Sequence, residues 1–238
     1  MARRIVSVLV TCVAFGMLSS GHAATSESSE SPTLRLLQAQ APALDPGVLS
    51  KALAARDCAT QKGLASPAQR MAVIDYSLPS TQRRLWVFDL QQPRLLFDEY
   101  VAHGRGSGDN VPTRFSNDDG SHSSSLGLFS MAETYVGGNG YSLRMDGLEP
   151  GFNDHARDRA IVMHGAWYVD PGLAGRVGRL GRSYGCPAVR PQVAHQVIDA
   201  LKGGQLLFAY YPDQDWLRHS SMLRCEPGRT MAGIHHAR

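Results

Sequence analysis

Seven short apolar runs, parted by segments crowded with glycine, serine and proline, limit what this chain can become. They fall at 71–78, 83–91, 94–103, 126–132, 141–146, 160–164 and 205–211. Runs of this length, rich in β-branched and aromatic residues and bounded by turn formers, read as strands. Gln91-Gln92-Pro93 parts the second and third closely enough for a hairpin. Only two segments carry helical signals. One runs from Asp45-Pro46 to Lys62, with Asp45 as N-cap, Pro46 at N1, Leu49 and Leu53 on one face, and Gly63 as the stop. The other is Pro191 to Lys202, with Val193, Val197, Ile198 and Leu201 on one face and Gly203 beyond. No internal repeat is present. Strands outweigh helices, so the expected class is mainly β with helices added at the ends. With 238 residues and 43% hydrophobic content, the chain can bury a sizeable core.

The first residues read as a secretory signal. Arg3 and Arg4 precede the apolar run Ile5 to Leu18, and Gly21-His22-Ala23 offers small residues for cleavage after Ala23. An uncleaved anchor is the competing account, though the run is short for a bilayer. The expected division is a signal peptide at 1–23, a flexible tether at 24–44, the main folded domain at 45–225 and a tail at 226–238. The Ser-, Glu-, Ala- and Pro-rich composition of 24–44 suggests the tether. No later stretch is long and apolar enough to cross a membrane. Loss of Arg3 and Arg4 takes the formal charge from +3 to +1. No basic run with interleaved aromatics points to nucleic acid. A monomer is expected in the periplasm or cell envelope.

Export bears on the cysteines. Beyond Cys12 in the signal, Cys58, Cys186 and Cys225 remain, and an odd count in an oxidising compartment leaves one unpaired. If Cys186 is free, Cys58 and Cys225 could bridge; a structural Cys186 paired with either is the other possibility.

Cys186 lies in "GRSYGCPAVRP", a segment with too much glycine and proline for helix or strand. A thiol on a stiff turn becomes a nucleophile only as thiolate, and a nearby imidazole can take its proton. Of the histidines, His235 and His236 belong to the C-terminal tail, His195 to the polar side of a helix, and His219 has no recognisable context. His164 ends the run "RAIVMH" and is followed by Gly165, which would deliver an imidazole to a sheet rim. A core histidine satisfied by backbone groups is the competing account. His155, His164 and Cys186 with Asp154 or Asp158 lack any tight ligand pair, so no metal or cofactor is expected.

"IVMHGAWYV" followed by "GRLGRSYGCPAV" resembles the L,D-transpeptidase (YkuD-like) catalytic domain, in which a His-Gly strand end precedes a Ser-X-Gly-Cys turn. "VIDYSLPSTQRRLWVFDL", "VAHGRGSG", "FSNDDGSHSSSLGLF" and "YSLRMDGLEPGFNDHARDRAIVMHGAWYV" extend the resemblance over roughly 45–225, toward the murein L,D-transpeptidase branch. Two features depart from the better-studied pattern. Tyr184 stands where Ser-His-Gly-Cys has histidine, and Pro187-Ala188 follow the cysteine. Phenol ionises near pH 10, so Tyr184 is no base at neutral pH.

The resemblance implies a β-sandwich or barrel with flanking helices that acts on peptidoglycan stem peptides. Cys186 would form an acyl-enzyme, His164 would be the base, and the Gly165 carbonyl would orient its ring. The N–H groups of Tyr184, Gly185 and Cys186 would serve the oxyanion. His103, Ser124, Ser125, Tyr141, Arg144 and Arg182 are the candidates for supporting or binding the substrate. Asn153 and Asp154 read as turn formers. An amine acceptor gives a cross-link and water gives L,D-carboxypeptidase activity; a non-catalytic peptidoglycan-binding domain is the third possibility.

Overall fold

The computed structural model describes residues 31–225. The expected signal, the start of the tether and the tail with His235 and His236 lie outside them. In chain order the elements are α1 (Pro32–Gln40), α2 (Pro46–Gln61), β1 (Arg70–Asp75), β2 (Leu85–Asp89), β3 (Arg94–Glu99), β4 (Val101–Ala102), β5 (Gly127–Gly137), β6 (Gly140–Gly147), β7 (Val162–Gly165), α3 (Pro171–Val177), β8 (Ala188–Val189), α4 (Pro191–Leu201), β9 (Gln205–Tyr210) and α5 (Gln214–His219). Every one of the seven apolar runs overlaps a strand. The third run breaks at Tyr100 into β3 and β4.

The strands form one sheet in the order β3-β2-β1-β9-β5-β6-β7-β8-β4. Its two outermost strands, β3 and β4, are separated in the chain by the single residue Tyr100. One residue cannot span a flat nine-stranded sheet, so the sheet curls until its edges nearly meet. Across that seam Arg190, just past β8, grips Glu99 at the end of β3 through Nε to Oε2 at 2.9 Å and Nη2 to Oε1 at 2.6 Å. The result is a nearly closed barrel-like sheet with a few flanking helices.

The helices cover the barrel where their sequences leave an apolar face. The Asp45 carboxylate accepts the Val48 N–H at 3.1 Å and caps α2, as its sequence predicts. The helix buries Val48, Leu49, Ala52, Leu53 and Ala55 in the core shared with β1 and β9. Helix α4 buries Val197, Ile198 and Leu201 in the same core, and left-handed Gly203 and Gly204 follow it. Cys58 in α2 is disulfide-bonded to Cys225, with Cα atoms 5.6 Å apart, which leaves Cys186 as the free thiol among the described residues.

The 24–44 tether is corrected over its second half. Residues 32–40 form α1, whose Leu34 and Leu37, three apart on one face, are buried in the main core. The Gln40 amide also satisfies the edge of β3, donating to Pro93 O at 3.0 Å and accepting the Leu95 N–H at 2.9 Å. Two well-placed leucines and a strand-like amide outweigh a polar composition. Among the described residues no helix is long and apolar enough to cross a membrane.

Candidate active site

Strand β7 runs parallel to β8, with His164 opposite Ala188 and Gly165 opposite Val189. Cys186 lies in the turn two residues before β8, and the Val162 N–H at the start of β7 donates to its Sγ at 3.4 Å. The thiol, far from the imidazole in the chain, is therefore held against β7 two residues before His164. The thiol also donates to Ala160 O at 3.8 Å. Among the described residues no hydrogen bond joins the sulfur to the His164 ring.

The turn before Cys186 is held by its neighbours. Ser183 Oγ accepts the Gly185 N–H at 3.1 Å and donates to Cys186 O at 2.6 Å. Ser183 N donates to His103 O at 3.0 Å, and Arg105 N to Ser183 O at 2.8 Å. Ser124 Oγ accepts the Gly104 N–H and donates to Gly185 O, both at 3.0 Å. Gly185 sits at φ 123°, and a Cβ there would come within 2.8 Å of Ile161 Cδ1 and 2.9 Å of Ser123 O. Glycine is required by both the dihedral and the space. Gly104 packs its own backbone against Gly185, where a Cβ would lie 2.8 Å from Gly185 Cα.

The His164 ring bonds Gly165 O through Nδ1 at 3.0 Å. A carbonyl oxygen only accepts, so Nδ1 carries the proton and Nε2 keeps its lone pair. Burial holds the imidazole below its ordinary pKa, opposed by the Gly165 carbonyl. Burial pushes the Cys186 thiol up, opposed by the Val162 N–H and the Arg159 charge. Both shifts favour the neutral thiol and neutral imidazole over the ion pair.

Arg159 and Tyr168 are missing from the sequence candidates. The Arg159 guanidinium binds Ser116 O, Ser125 Oγ, Ser121 Oγ and Ser123 O at 2.7–3.1 Å, so it fastens the Ser-rich loop beside the thiol. Its place directly before the strand run "AIVMH" is the signal that could have singled it out. The Tyr168 hydroxyl is pushed up to about 12, first by burial and then by Cys186. No motif marks it, because its position depends on the loop after β7 folding back over Gly181, whose N–H it accepts at its own carbonyl at 2.9 Å.

Several expected contacts fall elsewhere. His103 is fully buried, with Arg84 Nη2 2.7 Å from Nδ1 and Gly108 O 3.4 Å from Nε2. With both nitrogens engaged, its ring has no donor or acceptor left for substrate; its carbonyl supports the turn instead. Ser124 and Ser125 are buried, and their hydroxyls are taken by the loops they join; Ser125 Oγ donates to Ser116 O at 2.9 Å. Tyr141 faces α4, where its hydroxyl donates to Asp199 at 2.8 Å and its ring stacks on His195 at 4.6 Å. Arg144 shares the face of His164, since it pairs with Val162 two residues away. Its guanidinium is engaged by Glu133 at 3.2 Å and by the Tyr135 ring at 4.4 Å. Arg182 is held by Gly108 O at 2.7 Å and Asp109 at 3.1 Å. The Gly185 N–H is committed to Ser183, whereas those of Tyr184 and Cys186 have no acceptor outside their own residues among the described residues. Asn153 is buried and does more than form a turn, donating to Leu126 O and Leu128 O at 2.9 and 3.0 Å. Among the described residues no group of three or more His, Cys, Asp or Glu is gathered to hold a metal ion.

The sequence matches the L,D-transpeptidase catalytic domain over residues 40–210. Among curated proteins none matches. Solved structures similar to this chain include an L,D-transpeptidase from Mycobacterium smegmatis, at 14% identity over 60% of this chain and 59% of that one, with a TM-score of 0.38. Another is L,D-transpeptidase 1 from Mycobacterium tuberculosis, at 14% identity over 59% and 60%, TM-score 0.33. A third is the helical cell shape determining protein Pgp2 from Campylobacter jejuni, at 13% identity over 61% and 48%, TM-score 0.40. The chain thus spans about half to three fifths of these proteins' lengths. The stretch matched by the family takes in all nine strands of the described residues and both Cys186 and His164, and the chain belongs to the L,D-transpeptidase catalytic domain family.

Proposed function

We propose that this chain is a peptidoglycan L,D-transpeptidase working through a cysteinyl acyl-enzyme. Cys186 Sγ attacks the carbonyl carbon between the third and fourth residues of a stem peptide, while His164 Nε2 takes the thiol proton. A rotation about χ1 releases the sulfur from Ala160 O for the attack. The N–H groups of Tyr184 and Cys186 receive the oxyanion. Collapse breaks the C–N bond; His164 returns the proton to the departing nitrogen, and a thioester remains on Cys186. The amine of a second stem then attacks, yields its proton to His164, and displaces the thiolate, which is reprotonated. Water in place of the amine makes the same enzyme a carboxypeptidase.

The observation that carries this reading is the Nδ1 bond of His164 to Gly165 O at 3.0 Å, on the strand whose Val162 N–H also bonds the Cys186 sulfur. It supports an Nε2 lone pair as the base. The opposed pKa shifts support proton transfer during attack rather than from a standing thiolate. The Cys58–Cys225 disulfide supports an exported protein, cut after Ala23 and active in the periplasm or cell envelope. Incubating the mature protein with a defined tetrapeptide muropeptide tests the reading by mass spectrometry. The expected result is a thioester adduct on Cys186 and a cross-linked product. A folded protein with no adduct and no turnover would instead indicate a peptidoglycan-binding role.

A further inference from the structure

The two arginines expected to meet substrate carboxylates, Arg144 and Arg182, are each bound to an acidic side chain of the protein itself. Arg105 is not. Among the described residues no aspartate or glutamate lies within ion-pair distance of it, although it adjoins the nucleophile turn. We infer that Arg105, backed by Tyr184 and His122, is the carboxylate-recognising, specificity-determining residue of the peptide site. This inference rests on Cys186 being the acylated residue.

Three contacts fix Arg105 in place, two of them on its exposed guanidinium. The Arg105 N–H donates to Ser183 O at 2.8 Å, which ties its backbone to the turn three residues before Cys186. Its guanidinium carbon lies 4.3 Å from the centre of the Tyr184 ring, two residues before Cys186. Its Nη2 donates to His122 Nδ1 at 3.1 Å. Arginine only donates, so His122 Nδ1 accepts and Nε2 carries the ring proton, which supplies another donor beside the cation. The His122 ring in turn packs on Tyr184, with centroids 4.7 Å apart.

His122 is held at φ 53°, a left-handed conformation uncommon for residues other than glycine. Such strain is maintained only where the surroundings dictate it, and here it presents the imidazole to Arg105. Tyr184 is 62% exposed, so the ring that supports the cation also forms an outer wall beside the nucleophile. Nη1 has no acceptor among the described residues. A guanidinium already ordered by stacking loses little further freedom on binding, and its fork matches a carboxylate. The sequence departure at Tyr184 acquires a role here: a ring in that place supports a cation, which an imidazolium could not do.

A stem peptide has two sources for that carboxylate, its C-terminal α-carboxylate and a side-chain carboxylate. Three donors separate them: the native tetrapeptide, its C-terminal amide and its side-chain amide. Acylation of Cys186 is followed by intact mass for the wild type, Arg105→Gln, Arg105→Lys and Arg144→Gln, with thermal melts as the check on folding. In the wild type, amidating one of the two carboxylates slows acylation on the order of 10- to 100-fold, and the slowed donor names the source. In Arg105→Gln that ratio collapses toward one; in Arg105→Lys it falls partway; in Arg144→Gln it stays at the wild-type value. A wild type indifferent to both amides, or an Arg105→Gln protein keeping the full ratio, overturns the inference while leaving the acyl-enzyme intact. If Arg105→Gln does not fold, an unchanged ratio in Arg105→Lys overturns it equally. A folded wild type acylated by none of the donors overturns the acyl-enzyme itself, and the inference with it.

Discussion

Replacing Ser124 by alanine tests whether the serine-rich loop binds substrate or builds the turn. The Ser124 hydroxyl joins two buried backbone groups, accepting from Gly104 N and donating to Gly185 O at 3.0 Å each. Alanine removes both bonds and leaves a donor and an acceptor unpaired. Each such group costs about 1–3 kcal/mol when water cannot reach it. The void touching Ser124 and Gly185 is about 10 Å³, at the lower limit for one water. Losing the hydroxyl enlarges it, so one water restores part of the loss, and the net expectation is about 2–4 kcal/mol. For a chain of this size that lowers Tm by roughly 5–15 °C. The assay is a thermal melt paired with the rate of Cys186 alkylation by iodoacetamide, which reports whether the turn has loosened. Arginine at 159 and the Ser125 hydroxyl remain in place, so the effect belongs to the one staple. A melt within about 2 °C of wild type, together with a raised KM for peptide, would refute this structural role and return Ser124 to the substrate.

Cys186→Ala should abolish acylation and leave the melt near wild type, whereas His164→Ala should keep the thiol but slow acylation by about 10²- to 10⁴-fold, both read by intact mass. Because the base must be neutral, and burial holds the His164 pKa below the ordinary 6.5, the wild-type acylation rate should stay level through neutral pH and fall only below 6.5; a fall beginning above pH 7 would contradict the assignment. His103 is held at about 3 by burial and by Arg84, so the unfolded chain binds its proton first. Its contribution to stability is therefore complete above about pH 6.5 and lost as pH falls toward 3, on the order of a few kcal/mol, and melts of wild type and His103→Gln at pH 7 and pH 4 should show a smaller acid loss in the variant. Reducing the Cys58–Cys225 disulfide, whose partners are 167 residues apart, should remove about 3–5 kcal/mol, seen as a lower denaturant midpoint with dithiothreitol.

The strands were legible because they carry their own signals, apolar runs closed by turn formers and a hairpin at Gln91-Gln92-Pro93, whereas their closure into a barrel came from the family resemblance. Helices α2 and α4 were legible through Asp45, Pro46 and Pro191, which act locally. Helix α1 was not, since Leu34 and Leu37 gain their meaning from a core assembled later in the chain. Strands β4 and β8 span two residues each and exist only through each other and β7. The same division runs through the site. Cys186, His164 and Gly165 stand out by sequence because glycine and proline set their backbones. The roles of His103, Ser124 and Arg105 depend on distant partners, among them Arg84 for His103, Gly185 for Ser124 and Tyr184 for Arg105, which no local pattern encodes. Arg144 and Arg182 were plausible as cations, but charge alone does not reveal the acid already beside each.

The one-residue passage through Tyr100 has an architectural consequence. Most connections between strands can lengthen without disturbing what they connect, but this one cannot, because slack there would let the barrel wall part. The strand on its far side, β4, pairs with β8, which continues directly from the cysteine turn. An insertion scan across the chain should therefore find this joint among the least forgiving, and the first casualty would be the nucleophile's footing rather than the core.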